Sequence, residues 1–283
     1  MLGKLFVHEW KATWKLMAIM NAAVLVLSGI GALFFHRNAE TIKPFFDSME
    51  STGGETLYFL ACMCYLILLV FSIAVLAVGG MLYFYIRFYR NLYTDQGYLM
   101  HTLPVNEHQL IMSKTLVCLL WRIISALVVT AGVLTLVFSV FGDEINMDDI
   151  YEMVREAVDY FGGVRTVILL VLGILSMLAK ALFSTFTGYT CISIGQLASK
   201  NKVLAAVGVY FGMRVLFQMV GTFGSQYMVI LDTITPYSFI ELLAENENTV
   251  LIGMFVMVVV SYLLCLAMYS IIHSIMHKRL NLD

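Results

Sequence analysis

Residues 57–86, LYFLACMCYLILLVFSIAVLAVGGMLYFYI, form a run of 30 residues without a charged side chain. A helix needs about 20 apolar residues, each rising 1.5 Å, to cross the hydrocarbon core of a bilayer. The run therefore predicts a membrane-spanning helix. Because the run is longer than that minimum, we expect the helix to tilt or to project beyond the bilayer.

The composition extends this interpretation to the whole chain. Of the 283 residues, 60% are hydrophobic and 13% are charged, whereas soluble domains carry about 45–50% apolar and about 25% charged residues. Stretches long and apolar enough to span a membrane occur at residues 16–35, 57–86, 115–141, 164–194, 203–231 and 249–272. We therefore predict an all-α polytopic membrane protein whose residues 1–283 form a single transmembrane domain with six spans.

The distribution of basic residues predicts the orientation of the spans. If the N-terminus is cytoplasmic, the inner segments hold ten lysines and arginines and the outer segments hold four. Positively charged residues stay on the cytoplasmic side during insertion, so both termini are expected there. No small-residue cleavage site follows the first span, which we interpret as a retained span and not as a signal peptide.

Two segments outside the spans are also expected to touch the membrane. Residues 1–15 place Leu2, Phe6, Trp10 and Trp14 on one helical face, which predicts an interfacial helix in the headgroup region. The alternative is a simple cytoplasmic extension of the first span. The sequence ITPYSFIELL, residues 234–243, is too apolar for a free loop and predicts a re-entrant or interfacial helical segment on the outer side.

The cytoplasmic connection between the second and third spans is expected to contain a short helix over residues 94–104. Thr94 or Asp95 can cap its start, and Pro104 ends it because the residue before a proline disfavours the α region. Its apolar residues are Tyr98, Leu99, Met100 and Leu103. They could form a docking surface or pack under the helical bundle, and the residues alone favour neither.

Charged residues at membrane depth are the second candidate site. Lys180 belongs to a stripe at i+4 spacing with Ser176, Ser184 and Gly188, and Arg214 belongs to a second stripe with Gln218, Thr222 and Gln226. Such stripes turn towards protein or water and away from lipid. Packing between helices, including a subunit interface, and a substrate path both remain open.

Several kinds of chemistry have no motif in this chain. The phosphate-binding pattern GxxxxGKS/T and the zinc-protease pattern HExxH are absent, and the five cysteines show no ligand spacing. No acidic residue lies well inside a span, which disfavours a proton-driven carrier. We therefore predict a chain that is not an enzyme by itself and that has no metal site, no cofactor and no nucleic-acid partner.

Residues 88–115, FYRNLYTDQGYLMHTLPVNEHQLIMSKT, resemble a stretch that follows the second span in permease subunits of ABC type-2 exporters from Gram-positive bacteria. The matching positions are Gly97, Tyr98, Leu99, Thr102, Leu103, Pro104, Val105, Leu110 and Lys114. Six spans, an N-terminal interfacial helix and an outer re-entrant segment also fit the plan of that family.

The resemblance implies a complex in the bacterial cytoplasmic membrane. A second permease chain, identical or homologous, and two copies of a separate ATPase subunit that binds ATP and Mg would complete it. Residues 94–104 would be the cytoplasmic coupling helix, with ATPase-coupling residues Asp95, Gly97, Tyr98, Leu99, Thr102, Leu103 and Pro104.

The resemblance also implies where the substrate passes. The second and fifth spans line the path in that family, so Arg214 and Gln218, with Lys180 on the fourth span, are candidate path residues. Peptides, drugs and lipid-like molecules are the expected substrate classes. The alternatives are an ion-coupled secondary transporter and a non-transporting membrane binding or immunity protein.

Overall fold

The computed structural model describes residues 2–37, 55–94, 97, 105–141, 147–234 and 247–278. These ranges are helical and contain no strand. The helices are α1 (Leu2–Arg37), α2 (Glu55–Ala74), α3 (Gly80–Tyr93), α4 (Glu107–Phe141), α5 (Met147–Phe161), α6 (Gly163–Gly195), α7 (Lys202–Ile234) and α8 (Glu247–Lys278). A π-helical segment, Val75–Gly79, joins α2 to α3.

Six helices in these ranges are long and apolar enough to cross a membrane. They are Leu2–Arg37, Leu60–Tyr93, Glu107–Ser139, Gly163–Gly195, Lys202–Thr222 and Leu251–His277. The prediction of an all-α fold with six spans is confirmed. Helix continues beyond several expected boundaries, for example to Tyr93 where the second span was expected to end at residue 86. Backbone hydrogen bonding within a helix does not stop where its side chains become charged.

The N-terminal segment differs from the expected arrangement. Leu2–Arg37 is one helix, without a turn between residues 15 and 16, as the alternative of an extended first span requires. Phe6 stacks on Trp10, and Trp10 stacks on Trp121 of α4 with ring centroids 4.8 Å apart. Trp14 is 47% exposed. Two members of the expected lipid-facing stripe therefore pack against protein, and an interfacial position of residues 1–15 stays a prediction.

One compact unit comprises Met1–Phe84 and Leu116–Val154. Its core cluster contains Met17, Phe84, Val117, Cys118 and Trp121. The indole Nε1 of Trp121 donates a hydrogen bond of 3.2 Å to the Thr13 hydroxyl, so a polar contact accompanies the apolar packing of α1 on α4. Close packing and interhelical hydrogen bonds are the forces that hold helices together in a bilayer, where lipid is as apolar as the side chains.

A second compact unit comprises Tyr85–Thr115 and Arg155–Asp283. Here α6 packs against both α7 and α8. The half of α6 that follows Ala181 is buried without interruption from Thr185 to Cys191. Because this stretch is enclosed on every face, α6 is the central helix of the unit.

The acidic segment after α4 forms the amphipathic helix α5, as its apolar spacing indicates. Its Arg155 and Asp159 form an exposed ion pair of 3.9 Å. Residues 235–243 of the expected outer re-entrant segment lie outside the described residues, as do residues 95–96 and 98–104 of the expected coupling helix.

Candidate functional site

The coupling residues inferred from the sequence fall mostly outside the described part of the chain. Asp95, Tyr98, Leu99, Thr102, Leu103 and Pro104 are in the ranges that the structure does not describe. Gly97 is described and buried, and its N–H donates a hydrogen bond of 2.6 Å to the Thr94 carbonyl. A Cβ at Gly97 would lie 2.5 Å from the Leu92 carbonyl oxygen, so only glycine fits this tight turn after α3.

Residues 94–104 follow directly after α3, and the end of α3 packs against α6. The hydroxyls of Tyr93 and Ser193 are 2.7 Å apart and share a hydrogen bond. One turn earlier, the Phe88 ring stacks on Tyr189 with centroids 3.8 Å apart and planes 8° from parallel. Both rings are 1% exposed. The last two turns of α3 are therefore held against α6 by a polar and an aromatic contact.

A third contact extends this attachment by one more turn. The Tyr85 hydroxyl donates a hydrogen bond of 2.5 Å to the Ser184 carbonyl. Its ring lies over Gly188, where an added Cβ would come within 2.0 Å of the Tyr85 Cζ atom. The absence of a side chain at Gly188 is what lets the ring pack directly on the α6 backbone.

Residues 94–104 are followed by α4, and the start of α4 contacts the end of α8. Glu107 Oε1 lies 3.4 Å from Nδ1 of His277, and Oε2 lies 3.9 Å from Nε2 of His273. Next to them, His108 Nδ1 is hydrogen-bonded to the Tyr269 hydroxyl. In the described ranges, no three His, Cys, Asp or Glu side chains are grouped so that they could hold a metal ion. Glu107 and His108 thus connect the start of α4 to α8 through polar contacts.

The candidate path residues lie on exposed surfaces and are not brought together by any contact. Lys180, Arg214 and Gln218 are all exposed, and Lys202–Thr222 of α7 contains no buried residue. Phe183 and Phe217 meet edge to face with centroids 5.1 Å apart. Lys180 lies three residues before Phe183 and Arg214 three before Phe217 on antiparallel helices, so the two cations are separated by about 9 Å along the axes.

The contacts of α3 with α6 include residues that belong to no sequence motif. Tyr85, Phe88 and Tyr93 follow one another along the end of the second span, and Tyr189 and Ser193 are four residues apart on α6. The available signal in the sequence for these contacts was a repeat of aromatic residues every three to five positions, without a charged residue on the inward face. It marks a packed helical face but does not identify its partner.

The described contacts tie the helices on either side of residues 94–104 to two different helices, α6 and α8. Tyr93, directly before this segment, is hydrogen-bonded to Ser193, and Glu107, three residues after it, contacts His277. No protein-family model, curated protein or solved structure matches this chain.

Proposed function

We propose that this chain is the membrane-spanning permease subunit of an ATP-driven exporter of the ABC type-2 class. It resides in the bacterial cytoplasmic membrane with both termini in the cytoplasm. Two copies of a separate ATPase subunit, which bind ATP and Mg, and a second permease chain complete the transporter. Residues 94–104 form the coupling helix that is seated on the ATPase.

The observation that carries this proposal is the attachment of both ends of the 94–104 segment. Tyr93 is bonded to Ser193 at the start, and Glu107 lies between His273 and His277 at the end. A segment that receives force from a soluble subunit needs both attachments, because otherwise the force would move the loop alone.

Coupling also requires that the ATPase distinguish two states of the permease. Binding shifts a conformational equilibrium only by the difference in binding free energy between the two states. The apolar residues of the segment, including Leu99 and Leu103, supply the contact area. Phe88 contacts Tyr189 and Tyr93 contacts Ser193, so the helix that leads into the segment is packed against α6.

The exposed cations support the need for a second permease chain. A lysine or arginine at the centre of a span costs about 2.5–3.5 kcal/mol on insertion scales, and such residues face protein or water. Lys180 and Arg214 are exposed in the isolated chain. In the assembly, a second permease chain covers them or encloses a wet path with them, through which a peptide, a drug or a lipid-like molecule moves outwards.

Binding of the ATPase is the direct test of the coupling segment. We would replace Leu99 and Leu103 together by glutamate and purify the chain from its native membrane in mild detergent. Mass spectrometry then measures the yield of a co-purifying soluble subunit with a phosphate-binding GxxxxGKS/T motif. The matched control is Leu197→Glu, since Leu197 is 46% exposed in the turn between α6 and α7.

We expect the wild type and Leu197→Glu to retain the ATPase in stoichiometric amount, and the double variant to lose it while eluting as a folded protein. Retention of the ATPase by the double variant would contradict the assignment of the coupling helix. Absence of any ATPase from the wild-type preparation would instead favour an ion-coupled carrier or a non-transporting binding protein.

A further inference from the structure

A cavity of about 540 Å³ lies inside the first compact unit, between α1, the π-helical segment with its flanking turns, and α4. Its apolar wall includes Met17, Ile73, Leu76, Met81 and Phe84. The volume is within the range of about 300–1,000 Å³ that ligand pockets occupy. None of Lys180, Arg214 and Gln218 belongs to its lining, so the cavity is separate from the residues proposed for the path.

The π-helical segment forms part of the wall. Leu76 and Ala77 belong both to Val75–Gly79 and to the cavity lining. A π-helical turn widens the helix locally, is less favourable than α-helix and occurs frequently at functional sites. Directly after it, Gly80 faces α1, and an added Cβ would be in ordinary van der Waals contact, 3.4 Å from the Met17 Cε atom. The wall is therefore built by a distortion of the second span.

The polar groups of the cavity are all on α4. Arg122 and Ser125 are three residues apart and share one helical face, and Thr130 lies further along. The Ser125 hydroxyl oxygen is buried and has no hydrogen-bond partner among the described residues. Arg122 is always charged, and its guanidinium has five N–H donors, so it can bind an anion alongside another partner.

The charge in the lining is confined to one end of the α4 face. Arg122 and Thr130 are separated by eight residues, about 12 Å of helix, and the lining between them consists of Ser125, Ala126 and Val129. Arg122 is also eight residues from Lys114, so in the expected orientation the guanidinium occupies the end nearer the cytoplasm. A charged group at one end of a lining that is otherwise mostly apolar matches the chemistry of an amphiphile.

We infer that this cavity binds a bilayer lipid with an anionic headgroup. The headgroup is held by Arg122 and hydrogen-bonded by Ser125, and an acyl chain lies against the wall formed by Leu76 and Phe84. Anionic lipids are abundant in the cytoplasmic leaflet, which supplies the ligand on the side where Arg122 is expected. The inference does not depend on the proposed export function.

Native mass spectrometry of the full chain, released from detergent micelles, can count bound lipids. We would titrate phosphatidylglycerol and, separately, phosphatidylcholine with the same acyl chains. Ala126→Trp places an indole in the cavity, because Ala126 is a lining residue. Ala131→Trp is the matched control, since Ala131 is exposed on the same helix and is not part of the lining. Arg122→Gln removes the charge and retains donors.

We expect one phosphatidylglycerol to bind the wild type and Ala131→Trp with equal affinity and to be lost from Ala126→Trp. Arg122→Gln should weaken phosphatidylglycerol binding about tenfold or more and change phosphatidylcholine binding much less. Equal phosphatidylglycerol binding by the two tryptophan variants would overturn the site. If Ala126→Trp does not fold, Arg122→Gln decides alone: an unchanged preference for phosphatidylglycerol would overturn the inference.

Discussion

Replacing Gly188 by alanine should loosen the attachment of α3 to α6. The new Cβ would lie 2.0 Å from Cζ and 2.2 Å from Cε1 of Tyr85, where no contact shorter than about 3 Å is tolerated. The Tyr85 ring must therefore move away from α6. Its hydroxyl would then leave the Ser184 carbonyl, to which it donates a hydrogen bond of 2.5 Å.

The expected magnitude follows from three contributions. Overpacking of this kind costs about 1–3 kcal/mol, and the lost hydrogen bond adds about 0.5–1.5 kcal/mol. Alanine has a higher helix propensity than glycine, which stabilises the variant by up to about 1 kcal/mol. The free energy of unfolding should therefore fall by about 0.5–4.5 kcal/mol.

Reversible unfolding in mixed micelles of a mild detergent and dodecyl sulfate, followed by circular dichroism, measures this change. Gly173→Ala is the matched control, because the same substitution on the same helix meets no atom within 4 Å of the added Cβ. It should leave stability unchanged or raise it slightly. A double-mutant cycle with Tyr85→Ala should show a coupling energy of about 0.5–3 kcal/mol, since the clash disappears with the ring.

Two outcomes would refute this reasoning. One is a Gly188→Ala variant as stable as Gly173→Ala. The other is a cost of Gly188→Ala that stays the same when Tyr85 has been removed. Either result would mean that the Tyr85 ring does not pack on Gly188 in the membrane.

Two further changes test the same attachment by the same unfolding measurement. Phe88→Ala should lower the free energy of unfolding by about 3–5 kcal/mol, since Phe88 stacks on Tyr189 and both are buried. Phe71→Ala, at a side chain that is 67% exposed, should cost well under 1 kcal/mol, and equal costs for the two would contradict the contact. Tyr93→Phe should cost about 1 kcal/mol by removing the hydroxyl that pairs with Ser193. Ser193 also donates a hydrogen bond to the Tyr189 carbonyl, so Ser193→Ala should still cost something when added to Tyr93→Phe, but less than it costs in the wild type. Fully additive costs would show that the two hydroxyls are not partners.

The six spans could be predicted from the sequence because hydrophobic length is a local property. Residues 57–86 contain no charge, so a helix crossing the bilayer is indicated whatever surrounds it. The predicted spans were shorter than the helices. Apolar composition indicates which residues lie in the hydrocarbon core, but a helix can continue beyond that core. The i+4 spacing of Ser184 and Gly188 also predicted that these residues share one face of their helix.

What covers each face could not be predicted. Within one stripe of α6, Gly188 is buried beneath Tyr85, whereas Lys180, two turns away, is exposed. The same holds for α1, where Trp10 stacks on Trp121 although its pattern favoured the membrane interface. Periodicity identifies which residues share a face of a helix. It does not identify whether lipid, protein or water covers that face, because the sequence patterns of the three cases are nearly the same.

Length, helicity and the absence of nucleotide-binding motifs were therefore readable from the chain itself. The attachment of the 94–104 segment was not, because Tyr93 meets Ser193 across 100 residues and Glu107 meets His277 across 170. The cavity beside Arg122 likewise exists only because α1, the second span and α4 converge around a π-helical turn. Such contacts depend on the rotation and depth of each helix against its neighbours, which are set by packing between residues far apart in sequence.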